Sequence, residues 1–182
     1  MGWAYNPFVK YLIVSDIHGS EIGGIRLKEA LGREKPDCLI LLGDLLHGSY
    51  DPDPGFITSL IKGLSIGVLA VCGNCDDPYG DSEALGIELP DTRELSFQGH
   101  KVYLQHRPFY SSFEKGSILL NGHTHRKTLY EEEGVIHCNP GSIALPRDDS
   151  PSYAILDENG IVLVNAMNGL PVSKLLFEEN QK

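Results

Sequence analysis

The stretch VSDIHGS, residues 14–20, places an acid and an imidazole directly after the apolar run Tyr11–Val14. An apolar run bounded by Gly and Ser predicts a buried strand, so Asp16 and His18 should lie where its carboxyl end opens into a loop. That edge is where open α/β sheets bind their ligands. Because residues at i and i+2 of an extended chain point to the same side, both side chains could reach a single cation.

The remainder of the chain predicts an α/β fold. The first half alternates, with strands at 11–14, 38–42 and 67–72 and helices at 21–32, capped by Ser20, and 55–62, which predicts a parallel sheet. The second half shows short strands near 92–97, 101–105, 117–121, 128–131, 135–139, 152–156 and 161–166, which are typical of an antiparallel meander. Together these halves predict two sheets packed face to face with helices outside, a four-layer α/β sandwich.

Composition restricts the possible partners. The 182 residues contain no linker or charge block, so a single domain over 1–182 is expected. The formal net charge of -10 argues against stable nucleic-acid binding and requires local positive charge for any anionic substrate. No apolar run approaches the roughly 18 residues of a membrane span, and Met1–Lys10 lacks the features of a signal peptide. We therefore expect a cytoplasmic protein with no membrane contact.

Polar side chains recur after each predicted strand. After the first parallel strand, the next two lead into GDLLHG and CGNCD, and later apolar segments lead into LQHRP and NGHTHRK. The carboxyl ends of neighbouring parallel strands share one edge of a sheet, so these loops should meet. The candidate ligands are Asp16, His18, Asp44, Asn74, His106, His123 and His125.

These donors suit two metal ions better than one. Mixed carboxylate, amide and imidazole donors are typical of Mn, Fe, Co, Ni or Zn, and seven ligands exceed the needs of one open site. If Asp44 bridges, one cation takes Asp16, His18 and His125, and the other takes Asn74, His106 and His123. Two cations about 3.5 to 4 Å apart could hold a hydroxide between them for attack on phosphorus, which predicts phosphoester hydrolysis.

The order of these motifs resembles the calcineurin-like metallophosphoesterases. The resemblance rests on D16-x-H18, G43-D44, G73-N74-C75-D76, H106 and G122-H123-x-H125, in order across most of the chain. Within that superfamily, SDIHGS, GNCD and NPGS are similar to the small bacterial YfcE-type phosphodiesterases. This resemblance implies a metallophosphoesterase sandwich of two mixed sheets, two divalent metals with Mn²⁺ favoured, the ligand division above, and hydrolysis of small phosphodiesters. Asp44, Asn74, Cys75 and His106 are then the expected catalytic residues.

Two positions depart from the family pattern. The chain has His106-Arg107-Pro108 where the family usually has His-Gly-His, so Arg107 could act as a phosphate clamp or remain a solvated loop residue. The chain also has Cys75 where phosphomonoesterases of the class often have a histidine that protonates the leaving group. A thiol is a poor substitute for that imidazole.

Other features leave alternatives open. Cys72 and Cys75 have redox-pair spacing, although the following acidic loop would raise the thiol pKa. His47 could contact substrate or lie in an ordinary loop, and Ser142 could face the metals or belong to an Asn-Pro-Gly turn.

A metal-poor scaffold on the same fold is the rival function. The segments Gly48–Gly55 and Pro78–Ala84 are read as specificity loops, and the late strands with VSKLLF could form a homo-oligomer.

Overall fold

Two mixed β-sheets pack face to face in the computed structural model, which describes residues 9–108 and 112–177. The six-stranded sheet has the order β11-β10-β9-β1-β2-β3, and the five-stranded sheet has the order β4-β5-β6-β8-β7. The strands of the first sheet are β1 (Tyr11–Val14), β2 (Cys38–Leu41), β3 (Gly67–Ala70), β9 (Ser152–Asp157), β10 (Gly160–Asn165) and β11 (Pro171–Leu176). Those of the second are β4 (Thr92–Phe97), β5 (His100–Gln105), β6 (Ile118–Leu120), β7 (Lys127–Glu132) and β8 (Val135–Pro140).

Helices cover the outer face of the six-stranded sheet. In the described part of the chain these are α1 (Glu21–Glu34), α2 (Pro54–Lys62) and α3 (Gly80–Leu85). Along β1 the side chains alternate: Leu12 and Val14 pack with the helices, whereas Ile13 packs between the sheets. Both faces of β1 are therefore apolar, which is why its sequence is an unbroken apolar run. The predicted fold class is confirmed.

The observed bounds of α1 and α2 lie within two residues of those predicted from the sequence. The Ser20 hydroxyl accepts a hydrogen bond from the Gly23 amide at 3.2 Å, so the predicted N-cap of α1 is confirmed. Helix α1 runs two residues beyond the predicted end at Gly32 and stops at Lys35, whose backbone is left-handed. Helix α2 begins one residue earlier than predicted, at a proline that suits the first turn.

The antiparallel meander predicted for the second half is wrong in part. β6 pairs in parallel with both β5 and β8, so the five-stranded sheet is mixed. β9 and β10 leave that sheet altogether, and β9 pairs antiparallel with β1 in the first sheet. Alternating hydrophobicity detects such strands but does not encode which partner each one takes.

The segment Pro78–Ala84, predicted to be a loop, contains most of α3. Tyr79 at its N-cap gives no side-chain cap, so the usual start signal is absent from the sequence. The Asp81 carboxylate instead accepts the Asp77 amide at 2.9 Å and holds the preceding turn. No helix in the described ranges is long and apolar enough to cross a membrane. The segment Met1–Lys10 was expected to lack the features of a signal peptide, and its residues 1–8 lie outside the residues that the structure describes.

The predicted homo-oligomer remains a prediction. The VSKLLF segment forms most of β11, which pairs antiparallel with β10 and ends the six-stranded sheet on that side. One edge of β11 therefore has a partner within the same chain.

Candidate metal centre

Loops from both sheets meet at one end of the sandwich. Asp16, Asp44 and Asn74 follow the parallel strands β1, β2 and β3, and His106 and His123 follow the parallel strands β5 and β6. Because each set of parallel strands points its carboxyl ends one way, the loops converge. All seven predicted ligands lie where these loops meet.

A first cluster contains Asp16, His18 and His125, whose ligand atoms lie within 4.8 Å of one another. His125 Nε2 lies 3.3 Å from Asp16 Oδ1 and 3.2 Å from His18 Nε2. On the other side of each ring, His18 Nδ1 donates to the His47 carbonyl at 2.8 Å and His125 Nδ1 donates to the Leu145 carbonyl at 2.6 Å. A carbonyl can only accept, so in the neutral imidazoles both Nε2 atoms present lone pairs to the cluster.

A second cluster contains Asp44, His106 and His123, again with ligand atoms within 4.8 Å. His106 Nδ1 donates to the Leu42 carbonyl at 2.6 Å, and its Nε2 lies 3.1 Å from Asn74 Oδ1. The His123 ring packs edge-on against His106 with 5.2 Å between centroids. The Asn74 amide oxygen therefore lies beside the donors of this second cluster.

Asp44 lies between the two clusters. Its Oδ2 atom is 3.6 Å from His18 Nε2 and 3.3 Å from His106 Nε2, while its Oδ1 accepts the Cys75 amide at 2.8 Å. Burial raises the pKa of this carboxyl, but the hydrogen bonds from His106 and the Cys75 amide outweigh burial and bring the pKa down to about 2. Asp44 is therefore a carboxylate at neutral pH with one oxygen facing both groups of donors.

The backbone is strained at the ligands. Left-handed φ values occur at five of the seven predicted ligands: Asp16, His18, Asp44, His123 and His125. Each such non-glycine residue costs about 1–3 kcal/mol and persists only where the surroundings impose it. Neighbouring glycines permit the crowding, since a Cβ on Gly73 would lie 2.2 Å from Asp44 Oδ1.

Asp76 supports the site, a role the sequence analysis did not assign. Its Oδ2 accepts the Asp44 amide at 2.8 Å and the Gly73 amide at 2.7 Å, and its Oδ1 accepts the Leu45 amide at 2.6 Å. One carboxylate thereby joins the loops that follow β2 and β3. Asp76 belongs to the GNCD motif, next but one to the predicted ligand Asn74. The sequence alone does not reveal that its carboxylate binds backbone amides of the loop that follows β2.

The NPGS segment holds two of the ligand loops. The buried Ser142 hydroxyl donates to the Asp16 carbonyl at 2.7 Å, and Asn139 Nδ2 donates to the Gly122 carbonyl at 2.7 Å. Ser142 Oγ also accepts the Leu145 amide at 2.7 Å, beside the carbonyl that orients His125. Ser142 therefore positions backbone, and this segment is more than an ordinary turn.

Cys75 lies at the exposed rim of the site. Its sulfur falls within 4.8 Å of a His18 nitrogen and an Asp44 oxygen, and Asn74 Nδ2 donates to it at 3.3 Å. Burial and the nearby Asp44 charge raise the pKa of the Cys75 thiol, and burial raises that of Cys72 to about 11. Both thiols stay protonated at neutral pH, which disfavours the redox-pair hypothesis.

The other candidate residues have defined surroundings. The exposed His47 ring bonds through Nε2 to the buried Asp81 carboxylate at 2.9 Å, so it joins the β2 loop to α3. Arg107 Nε donates to Asn74 Oδ1 at 3.2 Å. His100 stacks on Phe177 and His137 stacks on Tyr130, and neither residue belongs to the two clusters.

The donor arrangement fits metal ions. The buried Asp16 Oδ1 has no hydrogen-bond partner among the described residues, and burial raises the pKa of Asp16. When both rings are neutral with the proton on Nδ1, the Nε2 lone pairs of His18 and His125 face each other at 3.2 Å, which is unfavourable without a cation beside them. Carboxylate, imidazole and amide donors are the set that borderline divalent cations prefer.

The chain matches known proteins over most of its length. A family model described as a calcineurin-like phosphoesterase superfamily domain matches residues 9–160. Phosphodiesterase YfcE from Escherichia coli (strain K12) is 28% identical over 175 residues, which cover 88% of this chain and 93% of YfcE.

Solved structures show the same architecture. The structure of Yfce, a phosphoesterase from E. coli, aligns with a TM-score of 0.86 at 22% identity, over 93% of this chain and 100% of that one. Wild-type Vps29 from Entamoeba histolytica, solved in complex with Zn²⁺, aligns with a TM-score of 0.66 at 20% identity, over 93% of this chain and 99% of that one. At these identities the likeness concerns the fold.

Proposed function

The chain belongs to the calcineurin-like phosphoesterase superfamily, and we propose that it is a metal-dependent phosphodiesterase that uses two divalent ions, Mn²⁺ being favoured. The observation that carries this proposal is the position of Asp44, whose Oδ2 faces His18 on one side and His106 on the other. A carboxylate between two sets of donors is the arrangement that a two-metal hydrolase needs.

The ligand assignment follows the two clusters. One cation is assigned to Asp16, His18 and His125, the other to Asn74, His106 and His123, and Asp44 is shared. When bound, two divalent cations would lower the pKa of a water molecule and neutralise charge on the phosphoryl group. Their positive charge would also offset the net charge of -10 that otherwise repels an anionic diester.

The chain's own residues prepare this chemistry. Backbone carbonyls fix His18, His106 and His125 with Nε2 inward, so little reorganisation is needed when a cation binds. Asp76 and Ser142 hold the backbone of Asp44 and Asp16 in place. Asn74 and Cys75 are exposed at the rim, so substrate would approach from their side.

Hydrolysis of a chromogenic phosphodiester tests the proposal. We expect the chelator-treated protein to be inactive and Mn²⁺ to restore turnover of bis(p-nitrophenyl) phosphate, because the donors cannot activate water without a cation. Initial rates and bound metal are measured together. A protein that binds little Mn²⁺ and turns over neither diesters nor monoesters would favour the metal-poor scaffold instead. One that binds two Mn²⁺ per chain without turning over either would contradict the proposed activity.

His123→Ala and His125→Ala are expected to deplete different metals, although the two residues are close in sequence. His125 contacts Asp16 and His18, whereas His123 packs on His106. Each variant should keep about half of the bound metal and lose one of two anomalous-diffraction peaks at the metal edge. His100→Ala, an imidazole on the β4–β5 hairpin, is the control and should keep both peaks. Loss of the same peak in both variants would contradict the ligand division.

A further inference from the structure

We propose that Arg107 binds a non-bridging oxygen of the substrate's phosphoryl group, on the side of the site formed by Asn74 and His123. This inference rests on the proposed phosphodiesterase function and names a residue that selects the substrate's anionic centre. Its basis is the contact between Arg107 Nε and Asn74 Oδ1 at 3.2 Å, which brings the guanidinium to the rim of the donor cluster.

The position of this cation is unusual within the chain. Among the described residues, Arg107 is the one Lys or Arg whose side chain hydrogen-bonds a predicted metal ligand. Asn74 Oδ1, which accepts this bond, also lies 3.1 Å from His106 Nε2, and the His106 ring packs against that of His123. A chain with net charge -10 thus places a permanent positive charge where an anion must arrive.

The Arg107 guanidinium has N–H groups that are available to a ligand. Arg93 forms an ion pair with a carboxylate, whereas no ion pair joins Arg107 to a carboxylate within residues 9–108 and 112–177. A guanidinium carries several N–H groups in a planar fork, and Asn74 takes the one on Nε. The Nη groups remain for a phosphoryl oxygen, whose geometry matches that fork.

A purely structural role would have a different signature. If Arg107 only oriented the Asn74 amide, its loss would reduce metal binding and kcat together. If it binds the phosphoryl group, its loss raises KM and weakens binding of inorganic phosphate, while metal content stays the same. Inorganic phosphate is a suitable probe because it contains the anionic centre without the ester groups.

The test compares Arg107→Ala and Arg107→Lys with Arg126→Ala in the Mn²⁺-loaded protein. Arg126 is an exposed arginine on the loop of His125, and within the described ranges its side chain has no hydrogen bond or ion pair to a predicted ligand. We expect Arg107→Ala to raise KM for the diester and the inhibition constant of phosphate by the same factor, about 10- to 100-fold. Arg107→Lys should give values of both constants between those of the parent and Arg107→Ala, because lysine keeps the charge but not the planar guanidinium. Arg126→Ala should have the same constants as the parent.

Two results would overturn this role for Arg107. One is an unchanged KM and phosphate constant in Arg107→Ala, and the other is a change that tracks loss of bound metal. Calorimetric titration of phosphate into the Mn²⁺-loaded proteins measures the same difference without turnover. A parent protein that hydrolyses no diester refutes the proposed function, while the phosphate titration still decides whether Arg107 binds the anion.

Discussion

Asp44→Asn is expected to reduce turnover of a phosphodiester to below about one thousandth of the parent rate and to weaken both metal sites. Asp44, the carboxylate that we assign to both cations, faces His18 at 3.6 Å and His106 at 3.3 Å. An asparagine has the same shape but carries no charge, so each bound cation would lose an anionic ligand. Metal-ion catalysis contributes several kcal/mol, which corresponds to a rate loss of this size.

Metal content and initial rate decide this prediction. Both are measured on the same preparation, by elemental analysis and with a chromogenic diester. Asp53→Asn is the matched control, since Asp53 caps helix α2 through its bond to the Phe56 amide and asparagine caps equally well. An Asp44→Asn protein that kept two metals per chain and a near-normal rate would show that Asp44 does not bridge.

The predicted ligands lie close together because each of them belongs to a loop that follows an apolar strand. Asp16, Asp44 and Asn74 could be placed at one sheet edge from local sequence, since parallel strands joined by helices align their carboxyl ends. The position of the ligands that follow strands of the five-stranded sheet was harder to predict. His123 reaches the site because β6 pairs in parallel with β5, a long-range choice that the local pattern of β6 does not specify.

The order of strands in the five-stranded sheet had a partial signal in the sequence. β7 contains Lys127, Glu131 and Glu132 and is largely exposed, whereas β8 is buried along most of its length. Charged residues are typical of edge strands, so β7 could have been placed outside β8. That placement leaves β6 to pair with β8 across the intervening hairpin, as observed.

Supporting groups were the least predictable part of the site. Asp76 and Ser142 act on backbone amides and carbonyls of loops that are distant in sequence. Such bonds depend on the final approach of the loops, which the left-handed residues and Gly73 make possible. The sequence could reveal that these side chains lie near the ligands, but only the fold shows which backbone groups they hold.

Cys75→His is expected to change how the rate depends on the leaving group. The sulfur lies near His18 and Asp44, so an imidazole at this position would enter the rim of the site. A thiol is a weak hydrogen-bond donor, and here burial and the Asp44 charge raise its pKa. The parent protein should therefore hydrolyse nitrophenyl diesters much faster than alkyl diesters, since nothing efficient protonates a poor leaving group.

The imidazole should correct this deficit mainly for poor leaving groups. A general acid typically contributes about 10²- to 10⁴-fold, so alkyl diesters should gain most and the slope of log rate against leaving-group pKa should flatten. Cys75→Ser, which offers no comparable acid, is the control and should keep the parent slope. Metal content is measured for every variant, because a new imidazole beside Asp44 could also bind metal. An unchanged slope in Cys75→His with both metals bound would mean that position 75 does not reach the departing oxygen, and that Cys75 is a packing residue.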